Sequence, residues 1–259
     1  MQGQFIWYEL MTTDTAAAAK FYGEVVGWQP RDAGMPGMDY TIVGPPGPNM
    51  GVAGVMPLTE EVMARGVPAN WTGYIHADDV DAMAETFKDA GGAIHRPAED
   101  IPGIGRFAVV ADPQGAVICV FSPDTPDGSM PDGPAPGSPG TFGWNELHAQ
   151  DAGSAFDFYA RHFGWTKDMA VDMGPEYGVY QTFTQDGRPI GGMMNKRPEM
   201  PMSCWSFYIT VPSVRAAAAK VAELGGQVLM EPHQVPGGGW ICPALDPQGA
   251  AFSLMSGSE

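Results

Sequence analysis

Residues Phe5 to Met11 run Phe-Ile-Trp-Tyr-Glu-Leu-Met, β-branched and aromatic enough to predict a strand. Thr13 or Asp14 then caps a helix from Ala16 to Val25 that stops at Gly27, with Phe21 and Val25 four apart on its buried face. Two short apolar runs, near Tyr40 to Val43 and Gly51 to Met56, are separated by Pro-Gly turns and predict a hairpin or meander. A second round follows. Trp71 to His76 predicts a strand, and Val80, Met83, Ala84 and Phe87 fall at helical spacing behind an Asp78/Asp79 cap, ending at Gly91-Gly92. Phe107 to Ala111 and Val117 to Phe121 flank Asp112-Pro-Gln-Gly115, which has Asp, Pro and Gly where a type I turn needs them. The order is strand, helix, strands, twice over: two βαβββ modules in an α+β arrangement.

The whole pattern then recurs. Phe5-Ile-Trp-Tyr-Glu-Leu-Met-Thr-Thr-Asp14, Phe21-Tyr22 and Gly27-Trp28 return as Phe142-Gly-Trp-Asn-Glu-Leu-His-Ala-Gln-Asp151, Phe158-Tyr159 and Gly164-Trp165, at an offset of 137 (144 − 7 and 165 − 28). Trp71-x-x-Tyr74-Ile75, Gly91-Gly92 and Asp112-Pro-Gln-Gly-Ala116 return as Trp205-x-x-Tyr208-Ile209, Gly225-Gly226 and Asp246-Pro-Gln-Gly-Ala250, at an offset of 134 (246 − 112). A match across most of both halves reads as a duplicated domain, two copies being too few for a solenoid. Residues 124–140, rich in Pro and Gly, suit an extended tether and place the boundaries at 1–123 and 141–259.

Composition narrows the function. Of 259 residues 44% are hydrophobic and 17% charged, enough for one large core or two ordinary ones. The formal charge of −17 repels phosphate backbones and anionic bilayers, so neither nucleic acid nor membrane is an expected partner. No apolar run approaches the roughly 20 residues of a membrane span, and the N-terminus lacks the basic start and apolar segment of a signal peptide, so a cytoplasmic location is expected. Cys119, Cys204 and Cys242 are odd in number and have no CxxC spacing, which supports neither a disulfide framework nor a thiolate zinc site.

The strand-cap-helix ending Phe-Tyr and Gly-Trp, the later strand-helix ending Gly-Gly, and the closing Asp-Pro-Gln-Gly hairpin together resemble the vicinal-oxygen-chelate superfamily of glyoxalase I, bleomycin-resistance protein and extradiol dioxygenases. The resemblance covers nearly the whole chain outside the tether. It implies tandem glyoxalase/bleomycin-resistance-like domains, each of two βαβββ modules forming a cupped sheet that holds a divalent metal and a small substrate. It also implies ligands on the first strand, on the strand opening the second module and on the last strand, as His or Gln, His, and Glu. Counted from the matching motifs, those positions carry Trp7, Thr72 and Cys119 in the first copy and Trp144, Ser206 and Ser253 in the second. Tryptophan cannot ligate, hydroxyls are poor isolated ligands for Zn²⁺ or Fe²⁺, and one Cys does not complete a shell. No metal and no other cofactor is expected there.

Strand alternation sets Trp7, Glu9 and Met11 on one face, and likewise Trp144, Glu146 and His148. The same alternation gathers Thr72, Tyr74 and His76, matched by Ser206, Tyr208 and Thr210. The candidate ligand-binding set is therefore Trp7, Glu9, Tyr74, His76, Trp144, Glu146, His148 and Tyr208: an aromatic wall with one acid and a few polar groups. The tryptophans equally suit core filling. An inward carboxylate is costly unless paired, hydrogen-bonded or used, and a bond to a tyrosine or to backbone would satisfy Glu9 or Glu146 without function. His76 and His148 read as partly exposed or hydrogen-bonded histidines ahead of ligand contacts; His95, His162 and His233 carry no functional reading. Tyr22 and Tyr159 read as packing residues.

The leading expectation is a metal-independent protein that binds a small aromatic or amphiphilic molecule, with no catalytic residue assigned. Against it stands glyoxalase, lyase or isomerase chemistry with Glu9 or Glu146 as general base, which would make the protein an enzyme. A third reading is a metal-dependent lyase or dioxygenase with relocated ligands such as Glu146 and His148, and a fourth is a structural protein with filled cavities. Monomer and homodimer stay equally open, because modules of this kind pair within or between chains.

Overall fold

The computed structural model describes residues 1–35, 37–125, 133–175 and 178–259, so part of the tether falls outside the described residues. In the first half the elements are β1 (Phe5–Thr12), α1 (Thr15–Val26), β2 (Gln29–Asp32), β3 (Thr41–Gly44), β4 (Ala53–Pro57), α2 (Glu60–Ala64), β5 (Asn70–His76), α3 (Val80–Asp89), β6 (Ala93–Ile101), β7 (Gly105–Ala111) and β8 (Val117–Pro123). The second half gives β9 (Phe142–Ala149), α4 (Ala152–Phe163), β10 (Thr166–Asp172), β11 (Val179–Gln185), β12 (Arg188–Asn195), β13 (Cys204–Thr210), α5 (Val214–Glu223), β14 (Gln227–Val228), β15 (His233–Gln234), β16 (Trp240–Leu245) and β17 (Ala251–Ser256). The predicted α+β pattern of βαβββ modules is present in both halves. The strands order as β2-β3-β4-β1-β5-β8-β7-β6 and as β10-β11-β12-β9-β13-β17-β16-β14, with β15 paired to β16.

The four long module helices begin the same way for the same reason. Asp14, Asp79, Asp151 and Ser213 each stand in extended backbone and accept a hydrogen bond from the N–H three residues on, at Ala17, Ala82, Ser154 and Ala216. Such a cap is worth about 1 kcal/mol. Gly27 and Gly164 end α1 and α4 in the left-handed conformation (φ 82° and 73°), where a side chain would be strained.

By compactness the chain divides into two units that do not follow the sequence halves. One comprises Met1–Ile6, Thr72–Pro131 and Trp144–Ser206; the other comprises Trp7–Trp71, Asp132–Gly143 and Phe207–Glu259. Each unit thus joins a module of the first half to a module of the second.

Each unit also holds a buried polar chain that explains the joining. In the first, Trp205 Nε1 donates to the Tyr159 hydroxyl (3.2 Å), which donates to Oδ2 of Asp112 (3.1 Å). Oδ1 of Asp112 meanwhile accepts the backbone N–H groups of Gln114 and Ala116, closing the Asp-Pro-Gln-Gly turn. In the other, Trp71 donates to Tyr22 (2.8 Å), Tyr22 to Asp246 (3.1 Å), and Asp246 closes its own turn through Gln248 and Ala250. Tyr22 and Tyr159 are therefore more than packing residues. Both are fully buried and hold their turn's carboxylate across the duplication.

Around these chains the core is aromatic. Tyr159 stacks on Trp165 at 5.4 Å, Phe87 meets Phe158 and Phe163, and in the other unit Tyr22 meets Trp28, Trp71 and Phe252. Each fully buried ring among them contributes about 1.5–3 kcal/mol by burial.

Candidate functional site

Along β1 the buried positions are Tyr8, Leu10 and Thr12, while Trp7, Glu9 and Met11 alternate onto the half-buried face. β9 repeats this, with Trp144 and His148 half-buried and Glu146 buried between them.

In the second copy the three predicted residues join through a fourth. Trp144 Nε1 donates to the Tyr180 hydroxyl (2.7 Å), and Tyr180 donates to Oε2 of Glu146 (2.8 Å). His148 places Nε2 at 2.9 Å from Oε1 of the same carboxylate. Both oxygens of Glu146 thus have a polar neighbour, the Tyr180 hydroxyl as hydrogen-bond donor and the His148 imidazole, which offsets the cost of burying it. Cys204 lies nearby, its thiol pushed up by burial and then by the Glu146 charge, so it stays protonated.

The first copy has the same start. Trp7 Nε1 donates to the Tyr40 hydroxyl at 2.9 Å. Glu9 follows two residues later on the same face, and Met11 stands where the second copy has His148.

Tyr40 and Tyr180 were absent from the candidate set drawn from sequence, and the reason they fit is visible in the sheet register. Parallel pairing sets Gly54 opposite Glu9 and Gly192 opposite Glu146. A Cβ on Gly54 would lie 1.9 Å from the Tyr40 hydroxyl oxygen, and one on Gly192 would lie 2.3 Å from that of Tyr180. Glycine at each position is what lets the ring lie across the strand. Their offsets, 140 for the tyrosines (180 − 40) and 138 for the glycines (192 − 54), drift from the 137 of the first strands, which hid the match.

The remaining candidates are placed differently. Tyr74 is buried between Phe107 and Phe121, ring centroids 6.5 and 6.2 Å away. His76, expected partly exposed or hydrogen-bonded, is buried, its Nδ1 3.5 Å from an Asp78 carboxylate oxygen. Tyr208 is buried in β13, in register with Ser253 of β17. A separate cleft of about 640 Å³ beside α3 is lined by Asp78, Asp81, Asp100 and Arg106. There Arg106 bridges Asp81 and Asp100, and its hydrogen bond holds the Asp81 carboxyl below the usual range.

A model of the glyoxalase/bleomycin resistance protein/dioxygenase superfamily matches residues 4–120 and again 141–254. The chain belongs to this superfamily. A Mycobacterium bovis relative named as glyoxylase CFP32 is 34% identical over 259 residues, covering 98% of this chain and 95% of its own length. The anthracycline biosynthesis protein DauV of a Streptomyces species is 32% identical over 263 residues, covering 96% and 91%. Among solved structures, a Mn(II)-bound glyoxalase from Novosphingobium aromaticivorans superposes with a TM-score of 0.67 at 16% identity, covering all of this chain and 83% of that one. A 2,2',3-trihydroxybiphenyl 1,2-dioxygenase from Sphingomonas wittichii does so at 0.66 and 15%, covering 99% and 91%. These last two bear on the superfamily fold alone.

The metal that the superfamily implies can be tested against the side chains at its positions. Trp7 and Trp144 present N–H groups already donated to tyrosines, and an indole nitrogen has no free lone pair to give. Thr72, Cys119 and Ser253 are buried. Neither three-residue set offers an imidazole or a carboxylate, so these residues do not fit a divalent ion. Among the described residues no three His, Cys, Asp or Glu side chains are grouped to share one.

Proposed function

We propose that this superfamily member binds a small aromatic or amphiphilic molecule without a metal, on the half-buried faces of β1 and β9. The observation that carries the reading is the repeated Trp–Tyr pair at the first-strand ligand position, followed two residues on by a glutamate. Indole and phenol rings supply flat apolar area at low entropic cost, while the tyrosine hydroxyl and the carboxylate give a ligand a few directional contacts. A relative of nearly the same length is named for anthracycline biosynthesis, and a polycyclic aromatic suits such a face.

The test is a titration of metal-stripped protein with an anthracycline, followed by the drug's own fluorescence, in wild type and in Trp7→Ala, Trp144→Ala and the double variant. Saturable binding that weakens with each substitution is expected, by about tenfold for loss of a stacked ring worth 1.4 kcal/mol. Binding that appears only after Mn²⁺ or Fe²⁺ is added, or that ignores all three substitutions, would rule the reading out.

A further inference from the structure

The second copy carries a group that the first lacks and that binding alone does not require. We infer that His148 is a proton acceptor for an acidic aromatic hydroxyl, a phenol, bound against Trp144, so that the second-copy site takes its ligand as a phenolate; this rests on the binding role proposed above.

The geometry fixes which nitrogen does this. A lone pair on Nε2 facing a carboxylate oxygen at 2.9 Å would be repelled, so the neutral ring carries its proton on Nε2 and its lone pair on Nδ1. Nδ1 makes no hydrogen bond among the described residues, and the side chain is 18% exposed, within reach of a ligand. Glu146 is itself unsuited to be the base. Its Oε2 accepts the hydrogen bond of the Tyr180 hydroxyl and its Oε1 faces the imidazole, leaving it to orient the ring and to stabilise the charge the ring acquires. Trp144, anchored through the same Tyr180, supplies the wall for the ring of the phenol. The step balances: the phenol O–H bond breaks, its proton goes to Nδ1, and the phenolate remains paired with a protonated imidazole held by Glu146. In the first copy Met11 offers no nitrogen, so a phenol there keeps its proton.

The test uses 4-nitrophenol, whose phenol and phenolate absorb at different wavelengths, at a pH below its solution pKa. Equilibrium dialysis measures the amount bound and difference absorbance its ionisation. Wild type should show a bound phenolate component that falls about tenfold in His148→Met and His148→Gln, the size expected for removing one opposite charge close by. Met11→His, which gives the first copy a histidine next to Glu9 in sequence alternation, should add phenolate signal. Nitrophenol bound by wild type with the same phenolate fraction as by both His148 variants would overturn the inference and leave the binding role standing. Failure of wild type to bind nitrophenol at all would also overturn it, and the anthracycline titration decides the binding role separately.

Discussion

The two copies share a tryptophan whose N–H is given to a tyrosine, a glutamate two residues on, and a glycine opposite that glutamate in the sheet. They differ at the next position along the strand. Met11 in one and His148 in the other put a thioether and an imidazole at the same point of the scaffold. Duplication keeps what the fold needs to hold the ring and leaves free the residue that decides what the ring meets. Structural chains and site chains also differ in burial: Trp–Tyr–Asp is buried in both compact units, whereas Trp–Tyr is half-buried in both copies.

The most disruptive way to break the likeness is at the glycines. Gly192→Ala and Gly54→Ala each set a methyl group inside the space of a tyrosine ring, an overpacking expected to cost about 3 kcal/mol, read by urea unfolding. Either tyrosine would be pushed from its tryptophan. A cost under about 0.5 kcal/mol in one copy alone would mean that its ring packs elsewhere.

Next come the buried chains. Tyr159→Phe leaves an oxygen of Asp112 and the N–H of Trp205 without their partner, and Tyr22→Phe does the same to Asp246 and Trp71. Each should lose about 2 kcal/mol of stability. Equal losses would support equivalent roles, and a neutral Tyr22→Phe would break the equivalence.

A smaller, pH-dependent effect follows from the same carboxyls. Burial raises Asp112 and Asp246 above the ordinary carboxylate range, against the downward pull of the backbone donors and the tyrosine hydroxyls. The folded protein therefore keeps protons there that the unfolded chain has released. Each carboxyl contributes stability below the ordinary value of about 3.9 that is lost as pH rises to the raised folded value. Wild type should lose stability relative to Asp112→Asn, and relative to Asp246→Asn, as pH climbs through that window in thermal unfolding. The reverse slope would show that hydrogen bonds outweigh burial.

Much of this arrangement can be read in the sequence. The modules, the capping residues Asp14, Asp79 and Asp151, and the alternation that sets Trp144, Glu146 and His148 on one face all follow from local rules. The recurrence of tryptophan at the same point of both first strands follows from motif spacing. Tyr180 and Tyr40 do not, because their approach depends on which strand pairs with β9 or β1 and on a glycine in that neighbour, a long-range register that local patterning does not carry. The compact units are likewise hidden, since the Tyr22 to Asp246 bond spans 224 residues.

The most direct test of the central claim is to measure anthracycline affinity in protein stripped with a chelator, then in the same sample after stoichiometric Mn²⁺, Fe²⁺ or Zn²⁺, with metal content read alongside. An unchanged dissociation constant and no metal retained after dialysis are the predicted result. Affinity that is lost on stripping and restored by one ion, with one equivalent retained, would contradict the account and reassign Glu146 and His148 as ligands.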